Sequence, residues 1–213
     1  MKRDAEYVVR LIAEAVLQNE QYFSELDGVV GDGDFGYSLA RGFEKVLSEW
    51  DTIDKSLPGN TLKGVSTKIV AVVGGVSGTI WGTAFLRAGM AQGLKAEVAH
   101  EDVIAMLRAA VEGIKKRGNA NVGDKTLLDA LVPAVDRLEE SFAEGKDAAT
   151  ALDDAAIVAR EAAEATRSMV AKRGRASYTG ERSIGTLDAG AVAVAVLFEA
   201  VGRAWKDPGG VAP

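Results

Sequence analysis

The chain has 213 residues, of which 47% are hydrophobic, and its formal charge at neutral pH is −6. Such a chain can bury one sizeable core, which predicts one domain over residues 1–206 and a flexible tail, 207–213. An acidic chain without a stripe of Lys and Arg is not expected to bind nucleic acid. No apolar run reaches the roughly 20 residues of a membrane span, so no membrane attachment is expected.

A cytoplasmic location is expected from two further features. The N-terminus lacks the apolar stretch of a signal peptide, and the sequence contains no cysteine that could form a disulfide framework.

Apolar residues recur at three- and four-residue spacing along most of the chain, which predicts an all-α protein. About eight helices are expected, over residues 4–24, 37–50, 60–73, 79–93, 101–117, 125–143, 147–172 and 188–205. The β-branched segment 68–73 could form a strand that feeds a phosphate loop, but no P-loop motif follows it. A helix is favoured there because Asn60 and Thr61 are suitable N-caps one helix length upstream.

Four glycine-rich loops separate these helices, at 26–36, 74–78, 118–124 and 173–190. They follow the first, third, fifth and seventh predicted helices. In an up-and-down array of helices these alternate loops emerge at the same end. The sequence therefore predicts one site at one rim of the helical array.

The first loop contains three aspartates within eight residues: Asp27, Asp32 and Asp34. Carboxylates packed so closely repel one another unless a cation lies among them, which favours a metal site. Without Cys or His in the segment, the ligand set suits magnesium or calcium better than zinc. The alternative is that these residues only cap and form Asx turns in a glycine-rich loop.

Two known loop types do not fit this segment. An EF-hand counted from Asp32 would need Gly and Glu where the chain has Tyr37 and Phe43. The spacing Gly31, Gly33, Gly36 matches a dinucleotide loop, but the intervening aspartates would repel pyrophosphate without a bridging cation.

Each of the other loops has a functional and a plain structural interpretation. Gly74–Gly78 opens a helix and could hold an anion, or it could be a turn with a Ser cap. Gly118–Thr126 allows close backbone approach, although Asp124 could simply be an N-cap. Gly174–Ser183 carries two arginines suited to phosphate, although arginines in loops are often only solvated.

Taken together, the loops resemble the nucleotide-binding L subunit, or the equivalent C-terminal domain, of dihydroxyacetone kinases. The motifs that carry the resemblance run in order from Leu26 to Gly190: Asp27 with Gly31-Asp-Gly-Asp-Phe-Gly36, Gly74-Gly-Val-Ser-Gly78, Gly123-Asp-Lys-Thr126, Gly174-Arg-Ala-Ser-Tyr-Thr-Gly-Glu-Arg-Ser183 and Asp188-Ala-Gly-Ala191. The resemblance implies a barrel of about eight antiparallel helices that binds nucleotide at one rim.

The resemblance also implies a role for each matching position. Asp27, Asp32 and Asp34 would bind two Mg²⁺ that bridge the phosphates of ADP or ATP. The implied nucleotide contacts are Phe35, Gly36, Tyr37 and Ser38 along the nucleotide, Val76 and Ser77 at phosphate, Gly118 and Leu127 at adenine and ribose, and Arg175, Asp188, Ala189 and Gly190 closing over it. Two positions depart from the family pattern: Phe35 replaces His and Ala189 replaces Pro, which puts efficiency or nucleotide preference in question.

In the family, the γ-phosphoryl group passes to a short-chain ketose held covalently by a histidine of a separate K subunit. The single histidine here, His100, lies far from every loop motif and is expected to be a surface or capping residue. The resemblance thus implies a kinase subunit that is active only with a K-type partner and carries no catalytic residue of its own.

Several alternatives stay open. The chain could be a non-catalytic nucleotide-binding regulatory module, a subunit of an ATP-dependent kinase for another small polyol or ketose, or a relative of the acyl-phosphate-forming kinases that share the Asp loop. The donor could be free ATP or a phosphohistidine protein of a sugar phosphotransferase system, and a homodimer is possible.

Overall fold

The computed structural model describes residues 3–207, and this part of the chain is helical throughout, without a strand. Nine α-helices follow one another: α1 Ala5–Gln18, α2 Glu20–Gly28, α3 Phe35–Ser48, α4 Pro58–Val72, α5 Gly75–Gln92, α6 His100–Gly118, α7 Leu127–Ala143, α8 Ala148–Ala165 and α9 Ala189–Lys206. Short 3₁₀ helices cover Trp50–Thr52, Thr166–Ser168 and Arg175–Ser183. The predicted all-α class is confirmed, and the β-branched segment 68–73 lies in and just after α4.

The largest error in the helix prediction is at the N-terminus, where the expected helix 4–24 is two helices. Asn19 breaks it: the Asn19 backbone leaves the helical conformation, and its side-chain amide donates to the carbonyl of Ala15 at 2.8 Å. The second helix then continues to Gly28, so that Asp27 lies in a helix and not in a loop.

Other helix ends differ from the prediction for local reasons. Helix α4 begins at Pro58 without a side-chain cap, so that Asn60 and Thr61 lie within its first turn. Helix α7 begins after Thr126, whose hydroxyl accepts from the Leu128 amide, and Asp124 is not its N-cap. Helix α8 ends at Ala165, several residues before the predicted end at 172, and passes into a 3₁₀ turn.

Consecutive helices pack on one another from α2 to α9, and α9 returns to pack on α1 and α2. The contacts therefore form a closed cycle, the arrangement expected of a helical barrel. Helix α9 lies in the interior, and Ala191 to Leu197 are all buried. Its N-terminal half suits this position because it contains only small and branched apolar residues.

No helix in the described range 3–207 is long and apolar enough to cross a membrane. The predicted tail, 207–213, lies outside the described residues except for Asp207.

Candidate functional site

Three aspartates meet where α2 gives way to α3. Asp27 lies in the last turn of α2, Asp32 in the connecting turn, and Asp34 at the N-cap of α3. Each offers one carboxylate oxygen, and these three oxygens lie within 4.8 Å of one another. Asp27 is half-buried, whereas Asp32 and Asp34 are exposed. Hard oxygen ligands at this spacing fit Mg²⁺, which keeps several waters and takes few protein ligands.

Glycines allow the aspartates to approach so closely. A Cβ atom at Gly31 would lie 2.3 Å from Oδ1 of Asp27, and one at Gly36 would lie 2.0 Å from the carbonyl oxygen of Glu20. The first turn of α3 therefore lies directly against α2, with no space for a side chain between them. The Phe35 amide donates a long hydrogen bond to Asp27 Oδ2 at 3.4 Å, which also links the end of α2 to the start of α3.

The residues after the aspartates lie in the first turn of α3, and their side chains point in different directions. Phe35 packs inward, with its ring centroid 6.1 Å from that of fully buried Phe23. Tyr37 is 56% exposed, and its ring lies under the Arg41 guanidinium. Ser38 is half-buried. Of these positions, Tyr37 is the one with a largely exposed side chain, while the Phe35 ring packs inward and its amide faces Asp27.

The loop between α8 and α9 reaches the aspartate cluster through Arg175. Its guanidinium forms an ion pair with the carboxylate of Asp32, although the Arg175 side chain remains 64% exposed. The structure thus brings the first and fourth predicted loops together, as the loop-parity argument expects.

The same fourth loop is joined to the loop that precedes α7. The amide of Lys172 donates to the carbonyl of Asp124 at 3.0 Å, and the Lys172 ammonium reaches the carbonyl of Gly123 at 2.8 Å. Arg173 pairs with the Asp124 carboxylate at 3.2 Å. Asp124 is therefore a loop-joining residue, which explains its burial better than the N-cap role that the sequence left open.

Lys125, which the sequence reasoning assigned no role, is almost fully buried in this junction. Its ammonium donates to the backbone carbonyls of Met169, Ser183 and Thr186. Asp129 was missed as well: its carboxylate accepts from the Thr126 and Gly123 amides and is buried. The spacing Thr126-x-x-Asp129 is a capping-box signal that could have revealed it.

The turn before α9 contributes Asp188, Ala189 and Gly190. Asp188 caps α9, accepting from the Ala191 amide at 2.7 Å. Loss of water around the Asp188 carboxylate, with the charges of Asp129 and Asp27 nearby, raises its pKa to about 7. Crowded carboxylates of this kind are the electrostatic condition that a bound cation relieves.

The remaining predicted positions are Leu127 and Gly190, which lie beside each other, and Gly118. A Cβ atom at Gly190 would lie 3.2 Å from that of Leu127, so the turn before α9 lies against the start of α7. Gly118 lies over Ile80 in α5.

The N-terminus of α5 is open. Gly74 provides no side-chain cap, Val76 is 65% exposed, and a Cβ atom at Gly74 or Gly75 would meet nothing within 4 Å. The amides of this first turn are thus available to an anion. Ser77 lies within the turn and is not its cap.

This all-helical protein has three clustered carboxylates, one of them paired with an exposed arginine, and an open helix N-terminus at α5. These features suit a site for a cation together with an anion. A model of the DAK2 domain family matches residues 29–203. The chain belongs to that family, and the resemblance drawn from its loops is confirmed.

Relatives of the chain have similar length or contain it as a part. It is 37% identical to the ADP-binding subunit DhaL of the PEP-dependent dihydroxyacetone kinase of Escherichia coli K12, over 88% of this chain and 89% of that subunit. It is 35% identical to the corresponding subunit of kinase 1 of Listeria innocua, over 94% and 97%. It is 34% identical to an L-erythrulose 1-kinase of Mycolicibacterium smegmatis, over 92% of this chain but 34% of that protein.

The fold matches a solved kinase. The native dihydroxyacetone kinase of C. freundii superposes with a TM-score of 0.72 at 27% identity, over 94% of this chain and 34% of that one. The same kinase in complex with AMP-PNP and Mg²⁺ gives a TM-score of 0.69 at 26% identity, over 92% and 33%. The barrel-type helical fold implied by the resemblance is thereby supported.

Proposed function

We propose that this chain is the ADP/ATP- and Mg²⁺-binding subunit of a kinase for dihydroxyacetone or a similar short-chain ketose, and that it passes the γ-phosphoryl group to a substrate held on a separate K-type subunit. The observation that carries the proposal is the convergence of the three aspartates with Arg175 at one rim. Family membership and the names of the relatives support the reaction class.

The three carboxylates fit magnesium by ligand type and spacing. We assign Asp27, Asp32 and Asp34 as ligands of two Mg²⁺, which would neutralise phosphate charge and align the transferring group. Three carboxylates around phosphate-bearing ions suit that count better than one ion, because magnesium takes only one or two carboxylates.

The nucleotide is proposed to lie across the rim between these aspartates and the start of α5. The open first turn of α5, with Val76 and Ser77, would hold phosphate on backbone amides. Arg175 would add a charge-assisted contact. The other proposed contacts are Phe35, Gly36, Tyr37, Ser38, Gly118, Leu127, Asp188, Ala189 and Gly190.

Phosphoryl transfer depends mainly on positioning and charge neutralisation. This chain can supply both without a nucleophile, and the proposal assigns it no general base. His100 fits that assignment, since it is exposed and its ring stacks on Phe142, away from the rim residues described above.

The phosphoryl donor is proposed to be a phosphohistidine protein of a phosphotransferase system, because PEP-dependent kinases stand among the relatives of matching length. The erythrulose kinase among the relatives keeps other ketoses as candidate substrates. The cytoplasmic location, the absence of nucleic acid and membrane ligands, and a homodimer stay predictions from the sequence.

A reconstitution assay tests the function. The purified chain alone is expected to phosphorylate no triose, and activity is expected once a K-type subunit, Mg²⁺, nucleotide, dihydroxyacetone and the phosphorylated phosphohistidine donor protein are present. Omitting each component in turn is the control. Tight Mg²⁺-nucleotide binding without turnover in the complete mixture would favour the regulatory module. Turnover by the chain alone, free of other proteins by mass spectrometry, would contradict the need for a partner.

A further inference from the structure

The most unusual buried charge outside the proposed ligands is the ammonium group of Lys125. The residue is 2% exposed, and its backbone has a φ of +60°, a conformation that non-glycine residues rarely adopt. Among the described residues, none of the hydrogen bonds of this ammonium goes to a carboxylate, and the charge of Asp188 acts on it without a direct bond. Its partners are backbone carbonyls and one hydroxyl.

These partners lie 44 to 61 residues further along the chain. The ammonium nitrogen is 3.2 Å from the Met169 carbonyl oxygen, 2.8 Å from that of Thr186 and 3.3 Å from the Thr186 hydroxyl, and it also contacts the Ser183 carbonyl. Met169 precedes the segment 170–182, while Ser183 and Thr186 follow it. One side chain therefore holds both ends of that segment together.

The clamped segment is the one that carries Arg175. Between its ends the Ser183 hydroxyl accepts from the Ala171 amide at 2.9 Å, which closes the base of the loop just above the ammonium. Arg175 itself is exposed, and within the described part of the chain its tip is tethered only by the ion pair with Asp32. The direction in which Arg175 approaches the aspartates thus depends on the geometry of the base.

Burying this ammonium on a left-handed backbone costs folding free energy, which indicates that Lys125 has a role beyond packing. Burial lowers the pKa of Lys125, because an ammonium surrounded by protein loses its hydration. The left-handed backbone adds strain. A neutral apolar residue in a relaxed turn would avoid both costs but could not gather several carbonyls at one point.

We propose that Lys125 is a positioning residue for nucleotide retention: it fixes the base of segment 170–182 so that Arg175 closes over the Mg²⁺-nucleotide at the aspartate cluster. This inference rests on the proposed function and adds to it a residue that does not itself contact nucleotide.

The test compares Lys125→Met with Lys55→Met. Both changes remove an ammonium that donates to a backbone carbonyl, but Lys55 reaches Trp50, away from the loop. Stopped-flow release of mant-ADP in Mg²⁺ is measured for wild type, Lys125→Met, Arg175→Ala and the double variant. Lys125→Met is expected to accelerate release about tenfold, the equivalent of one lost charge-assisted contact, while Lys55→Met leaves it unchanged.

The double variant separates positioning from general stability. If Lys125 acts through Arg175, its loss has little further effect once Arg175 is alanine, so the two effects are not additive. Fully additive effects, or equal acceleration by Lys55→Met, would overturn the proposal. Wild-type protein that binds no Mg²⁺-mant-ADP would contradict the proposed function instead.

Hydrogen-deuterium exchange without nucleotide tests separately whether Lys125 holds the ends of segment 170–182 together. Lys125→Met should raise exchange in peptides covering 169–186 while peptides of α3 and α4 keep their protection; uniform loss of protection would show a merely structural role. Should Lys125→Met fail to fold, Lys125→Arg keeps the charge with altered geometry. It is expected to give intermediate release, and wild-type release together with wild-type exchange would overturn the proposal.

Discussion

Asp32 and Asp34 have different electrostatic surroundings although one residue separates them. The Asp32 carboxylate is paired with Arg175, whereas Asp34 begins α3 and its backbone carbonyl accepts from Ser38 at 2.8 Å. A bound cation would compete with Arg175 for Asp32 but would meet no basic partner from residues 3–207 at Asp34. Loss of either carboxylate should weaken the site, and loss of Asp32 should also release the arginine.

Asp32→Asn and Asp34→Asn are each expected to weaken Mg²⁺-dependent ADP binding by at least about tenfold while the helical fold is kept, because each removes a charged ligand. Titration calorimetry with and without Mg²⁺ measures this. Asp51→Asn is the matched control, since Asp51 is exposed on the Trp50–Thr52 turn. Unchanged ADP affinity in both site variants would refute the metal assignment.

Gly36 fixes how closely α3 approaches α2. Its missing side chain leaves room for the Glu20 carbonyl and the Ser24 hydroxyl, and that hydroxyl accepts from the Tyr37 amide at 3.1 Å. A methyl group at position 36 would have to displace the backbone of α2, which cannot move as easily as the end of a flexible side chain. The aspartates on either side of the junction would then move apart.

Gly36→Ala is expected to lower the free energy of unfolding by about 1–3 kcal/mol through overpacking, and to weaken Mg²⁺-ADP binding. Urea denaturation and calorimetry measure the two effects. Gly202→Ala is the control, because its Cβ would meet nothing closer than 3.7 Å inside α9, and alanine there should be neutral or mildly stabilising. If Gly36→Ala were as stable as wild type, the α2–α3 junction would have room for a methyl group and the overpacking prediction would be wrong.

At the residue scale, the sequence predicted groups whose chemistry is local. The three aspartates lie within eight residues, so their meeting required no knowledge of the fold. Lys125 could not be understood in this way because every one of its partners lies on a distant loop.

At the scale of elements, helices were predictable because their apolar period is strong. The break at Asn19 was not predicted, since the apolar period continues on both sides of it. A signal was present: Asn in a helix interior can bond back to the carbonyl four residues earlier, as its amide does to Ala15. The start of α5 was placed four residues too late because Gly75 and Gly78 weaken the helical pattern, although burial of Gly78 against Val73 requires a glycine there.

Helices α7 and α8 are joined by a charge cluster centred on Asp154. Its carboxylate lies 2.8 Å from the Arg137 guanidinium, the Lys146 ammonium and the buried Ser141 hydroxyl. The hydrogen bond from Lys146, followed by those from Ser141 and Arg137, lowers the pKa of Asp154 from 3.8 to about 2. A carboxylate with a lowered folded-state pKa stabilises the fold above its unfolded pKa, and this contribution disappears as pH falls.

Asp154→Asn is therefore expected to cost about 1–2 kcal/mol of unfolding free energy near pH 7. The difference from wild type should shrink as pH falls from about 4 towards about 2, where wild-type Asp154 becomes protonated. Urea denaturation at several pH values measures this, with Asp153→Asn as a more exposed neighbouring control. A difference that stays constant down to pH 3 would show that Asp154 acts through packing and not through charge.

At the scale of the whole molecule, the candidate site forms where the first, third and fourth predicted loops of a closed helical cycle are joined to one another. Loop parity predicted this convergence, and the ion pair between Asp32 and Arg175 confirms it for the first and fourth loops. Parity could not predict which loop would lie against which. That depends on contacts such as Lys172 with Gly123, which join segments about fifty residues apart.

A site built from several loops should release its nucleotide slowly, because opening must break charge-assisted contacts together. If the donor is a phosphoprotein, the nucleotide serves as a fixed cofactor, and protein purified with Mg²⁺ should carry near-stoichiometric ADP that survives desalting. Phe35 works against this, since its ring packs on Phe23 and gives no polar contact to phosphate. Denaturation followed by chromatography of the released nucleotide measures occupancy, with Asp34→Asn as the control expected to be empty. Nucleotide-free protein that exchanges labelled ATP within seconds would point to free ATP as the donor.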